Sequence, residues 1–347
     1  MKLETFDDVK NSIKLNKDRN FHLLLGNGFS MAYDHTIFSY NALHDFITTL
    51  DDELLKKLFE IIKTKNFELI MQQLDNFAAL IEALGADKQL RIKIEEASKK
   101  LKQSLLDAVT AMHPEHVFKV PQNNSDACAS FLKTFLNTQG HIYTTNYDLL
   151  LYWVLMRNGV MSSVDGFGRD VEATEDFENA DELELSELRW GKHKDRQDIF
   201  YLHGALQLFD TGVEIVKEQY DTENHLLTNI SNRIDKGEYP IFVTAGNGQE
   251  KLAHIMHNRY LTYCYESLEK ITGSLVTFGF NFGEYDEHII DAINKAAKGG
   301  KKIFPKLLSI YIGVYSAENQ KYIENISNRF KCKVHIFDAK TTNVWGK

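Results

Sequence analysis

The 347-residue chain carries a formal net charge of −9, with 43% hydrophobic and 26% charged residues. These proportions are those of an ordinary globular protein, and the acidic balance argues against a general nucleic-acid or membrane-surface binder. Three scattered cysteines, Cys128, Cys264 and Cys332, form no CxxC pair, so neither a disulfide framework nor a thiolate zinc site is indicated. Neither an apolar signal-peptide core nor a run of about 18 apolar residues is present, which predicts a cytoplasmic protein.

The first part of the chain predicts one strand and a helical region. Phe21–Leu25 is a short apolar run that ends directly in Gly26-Asn27-Gly28, which predicts a buried strand entering a tight turn. From about Asp51 to Leu106 the sequence is rich in Leu, Ile, Glu and Lys, with apolar residues three or four positions apart. This spacing predicts a helical layer or an inserted helical subdomain.

The middle of the chain predicts two more strands and a hairpin. His141–Thr145 is typical of a strand, and Asp148–Met156 of the helix after it. Residues 161–198 are acidic and irregular, which predicts a surface excursion. Ile199–Leu202 is the next predicted strand, and it is followed by a predicted β-hairpin around residues 210–212.

The last hundred residues alternate regularly between strands and helices. Strands are predicted at 239–246, 274–280, 307–314 and 333–337, and helices at 250–271, 287–297 and 320–330. Such alternation implies βαβ crossovers. We therefore predict an α/β fold, a Rossmann-like parallel sheet with helices on both faces. Its first part is predicted at 1–50, the helical insertion at 51–138 and the remainder at 139–347.

Four segments lie at the carboxyl ends of predicted strands, where open parallel sheets bind their ligands: 26–30, 144–148, 203–204 and 279–282. Gly26 and Gly28 would let the backbone approach a pyrophosphate. A plain tight turn fits them equally well, because Met31 breaks the full GxGxxG pattern. A second glycine-rich strand end, 243–248, fits a turn with Asn247 in a left-handed conformation at least as well as a nucleotide site.

Polar side chains at these strand ends have structural as well as functional interpretations. Asn146 is a candidate helix cap, and its amide could also hold a ribose hydroxyl or a water. His203 is one of 13 histidines, and a single histidine more often has a structural role than a catalytic one. The glycine after it, however, leaves its imidazole unshielded on one side. Asp286 best fits a helix N-cap, and Asp34 with His35 fits a polar loop with a possible ligand role.

In order along the chain, the four segments resemble motifs of the sirtuin superfamily. GNGFS at 26–30 is similar to that family's Gly-Ala-Gly-x-Ser turn, and TTNYD at 144–148 to its Thr-Gln-Asn-x-Asp stretch. LHG at 202–204 matches its catalytic His-Gly, and GFNF at 279–282 occupies the place of its late Gly-x-Ser loop. The resemblance covers most of the chain and implies NAD⁺ as the substrate.

The chain differs from the sirtuin deacylases in ways that favour another subgroup of the superfamily. Three cysteines cannot build the deacylases' four-cysteine zinc module, so no zinc is expected. Asn27 stands in place of Ala, and AYDHTIFSY at 32–40 in place of Pro-Asp-Phe-Arg. The chain resembles instead the bacterial sirtuin-like proteins of antiphage defence, which are similar to NAD⁺ glycohydrolases. That resemblance implies a homo-oligomer, ring-shaped in several relatives, and a hexameric DNA-translocase-type ATPase as a possible partner.

For the site, the resemblance implies cleavage of NAD⁺ to ADP-ribose and nicotinamide. Asn146 would position the ribose or the attacking water. His203 would act as general base towards a ribose hydroxyl or that water, a role suited to a pKa near neutrality. The pyrophosphate would lie at the 26–30 turn, with Asp148 and Asn281 near ribose or adenosine hydroxyls. The expected NAD⁺-binding residues are Gly26, Asn27, Gly28, Phe29, Ser30, Asp34, Thr145, Asp148, Gly279, Phe280 and Asn281.

Several alternatives stay open. An NAD⁺-dependent deacylase or ADP-ribosyltransferase would use the same residues, although the missing zinc module disfavours it. A module that senses NAD⁺ or ADP-ribose and switches a partner needs binding without turnover. A Rossmann dehydrogenase has weak support, because GxGxxG and the acidic ribose-binding residue about 20 positions later are not clearly present. HExxH, GxSxG and Walker lysine motifs are absent, so metalloprotease, serine hydrolase and P-loop NTPase interpretations have no support.

Overall fold

A computed structural model of the chain describes residues 2–15, 19–35, 53, 56–57, 61, 67–85, 88–111, 113–160, 163–169, 187–243, 247–298 and 307–346. Three predicted features fall partly or wholly outside these residues. They are the beginning of the helical insertion, residues 170–186 of the acidic excursion and residues 244–246 of the second glycine-rich strand end.

Strands and helices alternate through most of the described chain. The strands are β1 Leu3–Glu4, β2 Phe21–Leu25, β3 Ile142–Thr144, β4 Phe167–Gly168, β5 Leu188–Trp190, β6 Ile199–Tyr201, β7 Gly204–Asp210, β8 Ile215–Lys217, β9 Pro240–Phe242, β10 Gly273–Phe278, β11 Leu307–Val314 and β12 Lys333–Asp338. The described helices are α1 Phe6–Leu15, α2 Asn27–Tyr33, α3 Phe67–Ala83, α4 Lys88–Ala111, α5 Gln122–Leu136, α6 Leu150–Arg157, α7 Leu226–Asp235, α8 Gly248–His257, α9 Arg259–Leu268, α10 Glu287–Lys298 and α11 Ala317–Ile326.

Seven strands form a parallel sheet in the order β1-β12-β11-β10-β2-β3-β6. Without the two-residue edge strand β1, the order from the opposite edge is β6-β3-β2-β10-β11-β12. In chain order this is 3-2-1-4-5-6, the order of the Rossmann fold. The predicted Rossmann-like α/β fold is therefore confirmed. The direction of chain progression reverses between β2 and β10, which makes the gap beyond these two strand ends the topological switch point.

Helices cover both faces of this sheet, as predicted. Phe278 in β10 packs against Phe131 of α5, with ring centroids 5.8 Å apart. Tyr143 in β3 lies on the opposite face, since its register partner Leu24 is adjacent in β2 to Leu25, the register partner of Phe278. The Tyr143 hydroxyl lies 2.9 Å from the Ser267 hydroxyl of α9. The parallel strands are buried on both sides, which explains their continuous apolar sequences.

A second, antiparallel sheet was not predicted. Its strand order is β4-β5-β8-β7-β9. The predicted hairpin around residues 210–212 is confirmed as β7 and β8. The predicted strand at 239–246, by contrast, does not join the parallel sheet, because β9 pairs antiparallel with β7. The acidic excursion is not irregular throughout either, since β4 and β5 lie within it and pair with each other.

Two helical predictions also change. The long helix predicted at 250–271 is divided into α8 and α9 at Asn258, whose side chain accepts hydrogen bonds from the backbone N–H groups of Tyr260 and Leu261. Helices α3 and α4 lie within the predicted insertion, but α5, also within 51–138, packs on the sheet as a crossover helix. Among the described helices, none has the length and apolar character needed to cross a bilayer.

Candidate functional site

The carboxyl ends of β2 and β10 contact each other through glycine backbone. The Gly26 N–H donates to the Phe278 carbonyl oxygen at 3.1 Å, and the Gly28 N–H donates to that of Gly279 at 2.9 Å. A Cβ atom on Gly28 would lie 2.6 Å from the α-carbon of Gly279. We call Gly26, Gly28 and Gly279 the glycine corner. These glycines are explained by close packing of the two strand ends, because a Cβ atom at any of them would collide with backbone atoms of the other.

Directly beside the glycine corner, Ser30 connects α2 to the end of β3. The Asn146 amide nitrogen donates to the Ser30 hydroxyl oxygen at 2.8 Å, and the Ser30 hydroxyl donates to a carboxylate oxygen of Asp148. All three side chains are buried. We call Ser30, Asn146 and Asp148 the amide network. The structure thus brings together the 26–30 and 144–148 segments, which are separated by more than a hundred residues in sequence.

The amide network changes the interpretation of Asn146. Its side chain caps no helix, because α6 begins after Leu149, which makes no side-chain cap hydrogen bond. The hydrogen bond to the first turn of α6 comes instead from Asp148, whose second carboxylate oxygen accepts the Leu150 N–H at 2.9 Å. Thr145 continues the strand pairing, since its N–H donates to the Leu25 carbonyl at 3.1 Å. Asn146 is therefore held in place by tertiary contacts, which a simple cap would not need.

Asn27, the middle residue of the first turn, carries a buried amide nitrogen with no hydrogen-bond partner among the described residues. A buried donor without an acceptor costs about 1–3 kcal/mol. Unlike the side chains of the amide network, this donor has no acceptor among the described residues. It lies at the switch point, between the two glycines that join β2 to β10.

His203 lies at the junction of the two sheets, between β6 and β7. Gly204 has φ +80°, and a Cβ atom there would lie 1.8 Å from the Ile241 carbonyl oxygen. No other residue fits this position, because its backbone is left-handed and in contact with β9. The His-Gly sequence is therefore explained as the point where the chain leaves one sheet and enters the other.

Backbone hydrogen bonds hold the segments of Asn146 and His203 side by side. The Leu202 N–H donates to the Thr144 carbonyl at 2.8 Å, and the Leu206 N–H donates to the Tyr147 carbonyl at 2.9 Å. Asn146 and His203 both lie between these two bonds along the chain. The strands that precede them, β3 and β6, are register neighbours. The two residues proposed for catalysis thus come from adjoining strand ends.

The imidazole of His203 is paired with a second imidazole. Its Nε2 lies 2.9 Å from Nε2 of His288, and the two rings stack with centroids 5.1 Å apart. We call His203 and His288 the imidazole pair. Burial, the neighbouring His288 and the positive charge of Lys251 lower the pKa of His203 well below its ordinary value. The cause is mainly desolvation, which favours the neutral ring.

A buried ion pair lies next to the imidazole pair. Lys251 of α8 donates to a carboxylate oxygen of Asp286 at 2.9 Å, and both side chains are about nine-tenths buried. Asp286 is predicted to cap a helix, but among the described residues the hydrogen bond that its carboxylate accepts comes from Lys251. Burial first, and then the charge of Lys251, lower the pKa of His288 to about 3. Asn247 likewise differs from expectation, since it has φ −71° and forms a capping box with Glu250 at the start of α8.

Some residues that were predicted to bind NAD⁺ lie outside the glycine corner, the amide network and the imidazole pair. Asn281 is exposed and accepts a hydrogen bond from the Asn319 side chain at 3.3 Å, beside β11. Asp34 lies at the far end of α2 from Gly26, about 10 Å along a seven-residue helix. Phe29 packs in the core, where its carbonyl accepts the Trp345 indole N–H at 2.9 Å. Phe280 is likewise buried, so both phenylalanines support the corner through packing.

Sequence reasoning missed His288 and Lys251. His288 was assigned only to a helix, and nothing in its local sequence points to His203, which lies 85 positions away. The helical spacing of the segment gave one available signal, because a histidine at the start of a helix that follows a strand-end corner faces the same edge of the sheet. Within the described residues, no group of three or more His, Cys, Asp or Glu side chains is arranged to hold a metal ion.

Comparison with known families identifies the family of the chain. A family model described as "Domain of unknown function (DUF4917)" matches residues 23–345. This range contains the four strand-end segments and the whole antiparallel sheet. No curated protein matches the chain. Since the family model covers nearly the whole chain, the chain belongs to the DUF4917 family.

Proposed function

We propose that the protein is an NAD⁺ glycohydrolase that releases nicotinamide and ADP-ribose. One observation carries the proposal. The four segments that resemble sirtuin motifs end the neighbouring parallel strands β10, β2, β3 and β6. Their carboxyl ends therefore share one edge of the sheet, on both sides of the switch point. A dinucleotide lying along this edge would pass Asn27 and then reach the adjoining ends that carry Asn146 and His203.

The proposed reaction breaks the bond between the nicotinamide nitrogen and C1′ of the ribose. The electron pair of this bond goes to the cationic pyridinium ring, so nicotinamide leaves neutral and needs no acid. Water forms the new bond to C1′, and one proton of that water is lost. The site must therefore orient the ribose and the water, and supply a base.

Asn146 is suited to orienting rather than to proton transfer. Its amide nitrogen is already committed to Ser30, which fixes the plane of the amide. No hydrogen bond from the described residues reaches its amide oxygen, which is therefore an acceptor for a ribose hydroxyl or for the attacking water. A fixed acceptor removes orientational freedom before the reaction begins.

His203 would accept the proton of the water or of a ribose hydroxyl. Its lowered pKa means that the ring is neutral at pH 7, so one of its two nitrogens carries a lone pair. The same shift makes the ring a weaker base in the protein without ligand.

We expect Asn146→Ala and His203→Gln each to reduce NAD⁺ hydrolysis by about 100-fold or more, the usual effect of removing an orienting or proton-transferring group. Chromatographic measurement of nicotinamide release by the purified full chain tests this. The matched controls are Asn232→Ala and His257→Gln, which change exposed residues of the same two types. They should leave turnover within about twofold of the wild type. Undiminished turnover in both site variants would reject the assignment.

A module that binds NAD⁺ without turnover is the second candidate. The observation that favours it is the state of the site, where the amide network bonds to itself and the pKa of His203 is lowered. Calorimetric binding of NAD⁺ or ADP-ribose with no nicotinamide release would favour this reading. The defence role, ring-shaped homo-oligomer and translocase-type ATPase partner belong to the same proposal and rest on the resemblance. A mass measurement in solution tests the oligomer.

A further inference from the structure

The distance between the two rings of the imidazole pair fixes how many hydrogens lie between them. Nε2 of His203 and Nε2 of His288 are 2.9 Å apart, and both side chains are nearly inaccessible, at 3% and 1% exposure. A hydrogen bond at this distance needs one hydrogen between the two nitrogens. Two bare nitrogens would repel each other, and so would two N–H groups. One ring must therefore donate and the other must accept.

The choice of donor decides which atom of His203 is basic. If His203 donates from Nε2, its Nδ1 carries the lone pair and can accept a proton. If His288 donates instead, Nδ1 of His203 carries the hydrogen, and His203 has no free lone pair, because Nε2 is occupied. Only the first arrangement leaves His203 able to act as a base.

We propose that His288 is a positioning residue that accepts the Nε2–H of His203 and so leaves Nδ1 of His203 as the atom that takes up the substrate's proton. This inference rests on the proposed function. No hydrogen bond from the described residues reaches Nδ1 of His203, whereas its Nε2 is committed to His288. When Nδ1 is protonated, the new positive charge is shared along the Nε2–H bond to the neutral His288 ring. No second proton transfer is needed.

The surroundings keep the partner ring neutral. From α8, Lys251 and His254 face the imidazole pair, and the positive charge of Lys251 disfavours a proton on His288. Asp286 binds Lys251 and so limits the repulsion. From α9, the Tyr265 hydroxyl donates to the backbone carbonyl of His288 at 2.7 Å, which anchors the start of α10. His288 is therefore fixed in position and held in its neutral form, which can accept the His203 N–H.

Two substitutions separate hydrogen bonding from packing. In His288→Gln the side-chain amide can still accept the His203 N–H, whereas in His288→Leu an apolar side chain of similar reach cannot. We expect His288→Leu to lower kcat for NAD⁺ hydrolysis by about 10-fold or more with little change in KM, and His288→Gln to keep kcat within about threefold of the wild type. Equal kcat in the wild type and His288→Leu would overturn the inference. So would equal losses in both variants at unchanged thermal midpoints.

A measurement without NAD⁺ separates this inference from the proposed function. Nitrogen chemical shifts of histidine-labelled full chain report which ring nitrogen of His203 carries hydrogen, with the signals assigned by their loss in His203→Gln. We expect hydrogen on Nε2 and a bare Nδ1 in the wild type, and a mixture in His288→Leu. Hydrogen on Nδ1 in the wild type would overturn the inference even if the enzyme is active. The expected tautomer in a protein that never cleaves NAD⁺ would reject the proposed function alone.

Discussion

Gly279→Ala is expected to lower the free energy of unfolding by about 2–5 kcal/mol. The new Cβ atom would lie 2.4 Å from the backbone nitrogen of Phe29 and 2.5 Å from the carbonyl carbon of Gly28. Both are backbone atoms, so no side chain can move aside. The residue also has φ +69°, which costs an alanine about 1–2 kcal/mol, and forced overpacking adds about 1–3 kcal/mol. Denaturant unfolding of the full chain measures the change.

Gly212→Ala is the matched control. Gly212 has a similar φ of +81°, but a Cβ atom there meets nothing within 4 Å. It therefore carries the backbone strain without the collision, and we expect a loss of about 1–2 kcal/mol. The difference between the two variants measures the contact between β2 and β10. Equal losses in both would mean that the glycine corner is not closely packed.

Acid is expected to destabilise the protein strongly between pH 7 and pH 5. Burial, with a smaller effect of the neighbouring His141, lowers the pKa of His22 to about 3. His22 donates from Nε2 to the Thr272 carbonyl and accepts the His141 N–H at Nδ1, so the folded ring stays neutral. In the unfolded chain its pKa is 6.5 and it takes up a proton below that pH. Stability is therefore full above pH 6.5 and is lost as pH falls toward the folded pKa, by about 2 kcal/mol at pH 5 for His22 alone.

The imidazole pair adds to this loss, because the pKa values of His203 and His288 are lowered too. Asp198 has the opposite effect on the unfolding free energy. Burial raises the pKa of its carboxyl group to about 6, so the stability that the protonated Asp198 contributes is lost as pH rises through that value. Unfolding free energies at pH 7 and pH 5 test the sum. His22→Gln should reduce the pH dependence by about 2 kcal/mol, because glutamine cannot be protonated. An unfolding free energy that does not change over this interval would contradict the neutral buried histidines.

The sheet could be predicted because its information is local. Each parallel strand is a short apolar run bounded by glycine or polar residues, as in Phe21–Leu25, and helices separate the strands. The glycines at 26, 28 and 279 and the His-Gly step also carried local signals, since each marks a backbone position that a side chain would obstruct. From strand order alone, these corners could be expected at one edge of the sheet.

The rest depended on contacts between distant residues. The strand at Pro240–Phe242 reads like its parallel neighbours, and only its pairing with Gly204 places it in the antiparallel sheet. Asn146 reads as a cap because its partner Ser30 lies 116 positions earlier. The position of His288 at the start of a helix indicates only which edge of the sheet it faces, and its pairing with His203 depends on a contact across 85 positions. Local propensity does not encode such pairings.

A crystal structure of His203→Gln grown with NAD⁺ would show where the dinucleotide binds, because slow turnover should leave it intact. We predict the pyrophosphate beyond the ends of β2 and β10, within reach of the Asn27 amide, and the nicotinamide ribose against Asn146 and residue 203. NAD⁺ bound elsewhere, for example in the surface hollow beside Asp210 and Tyr239, would contradict the account. So would a site that stays empty at millimolar NAD⁺.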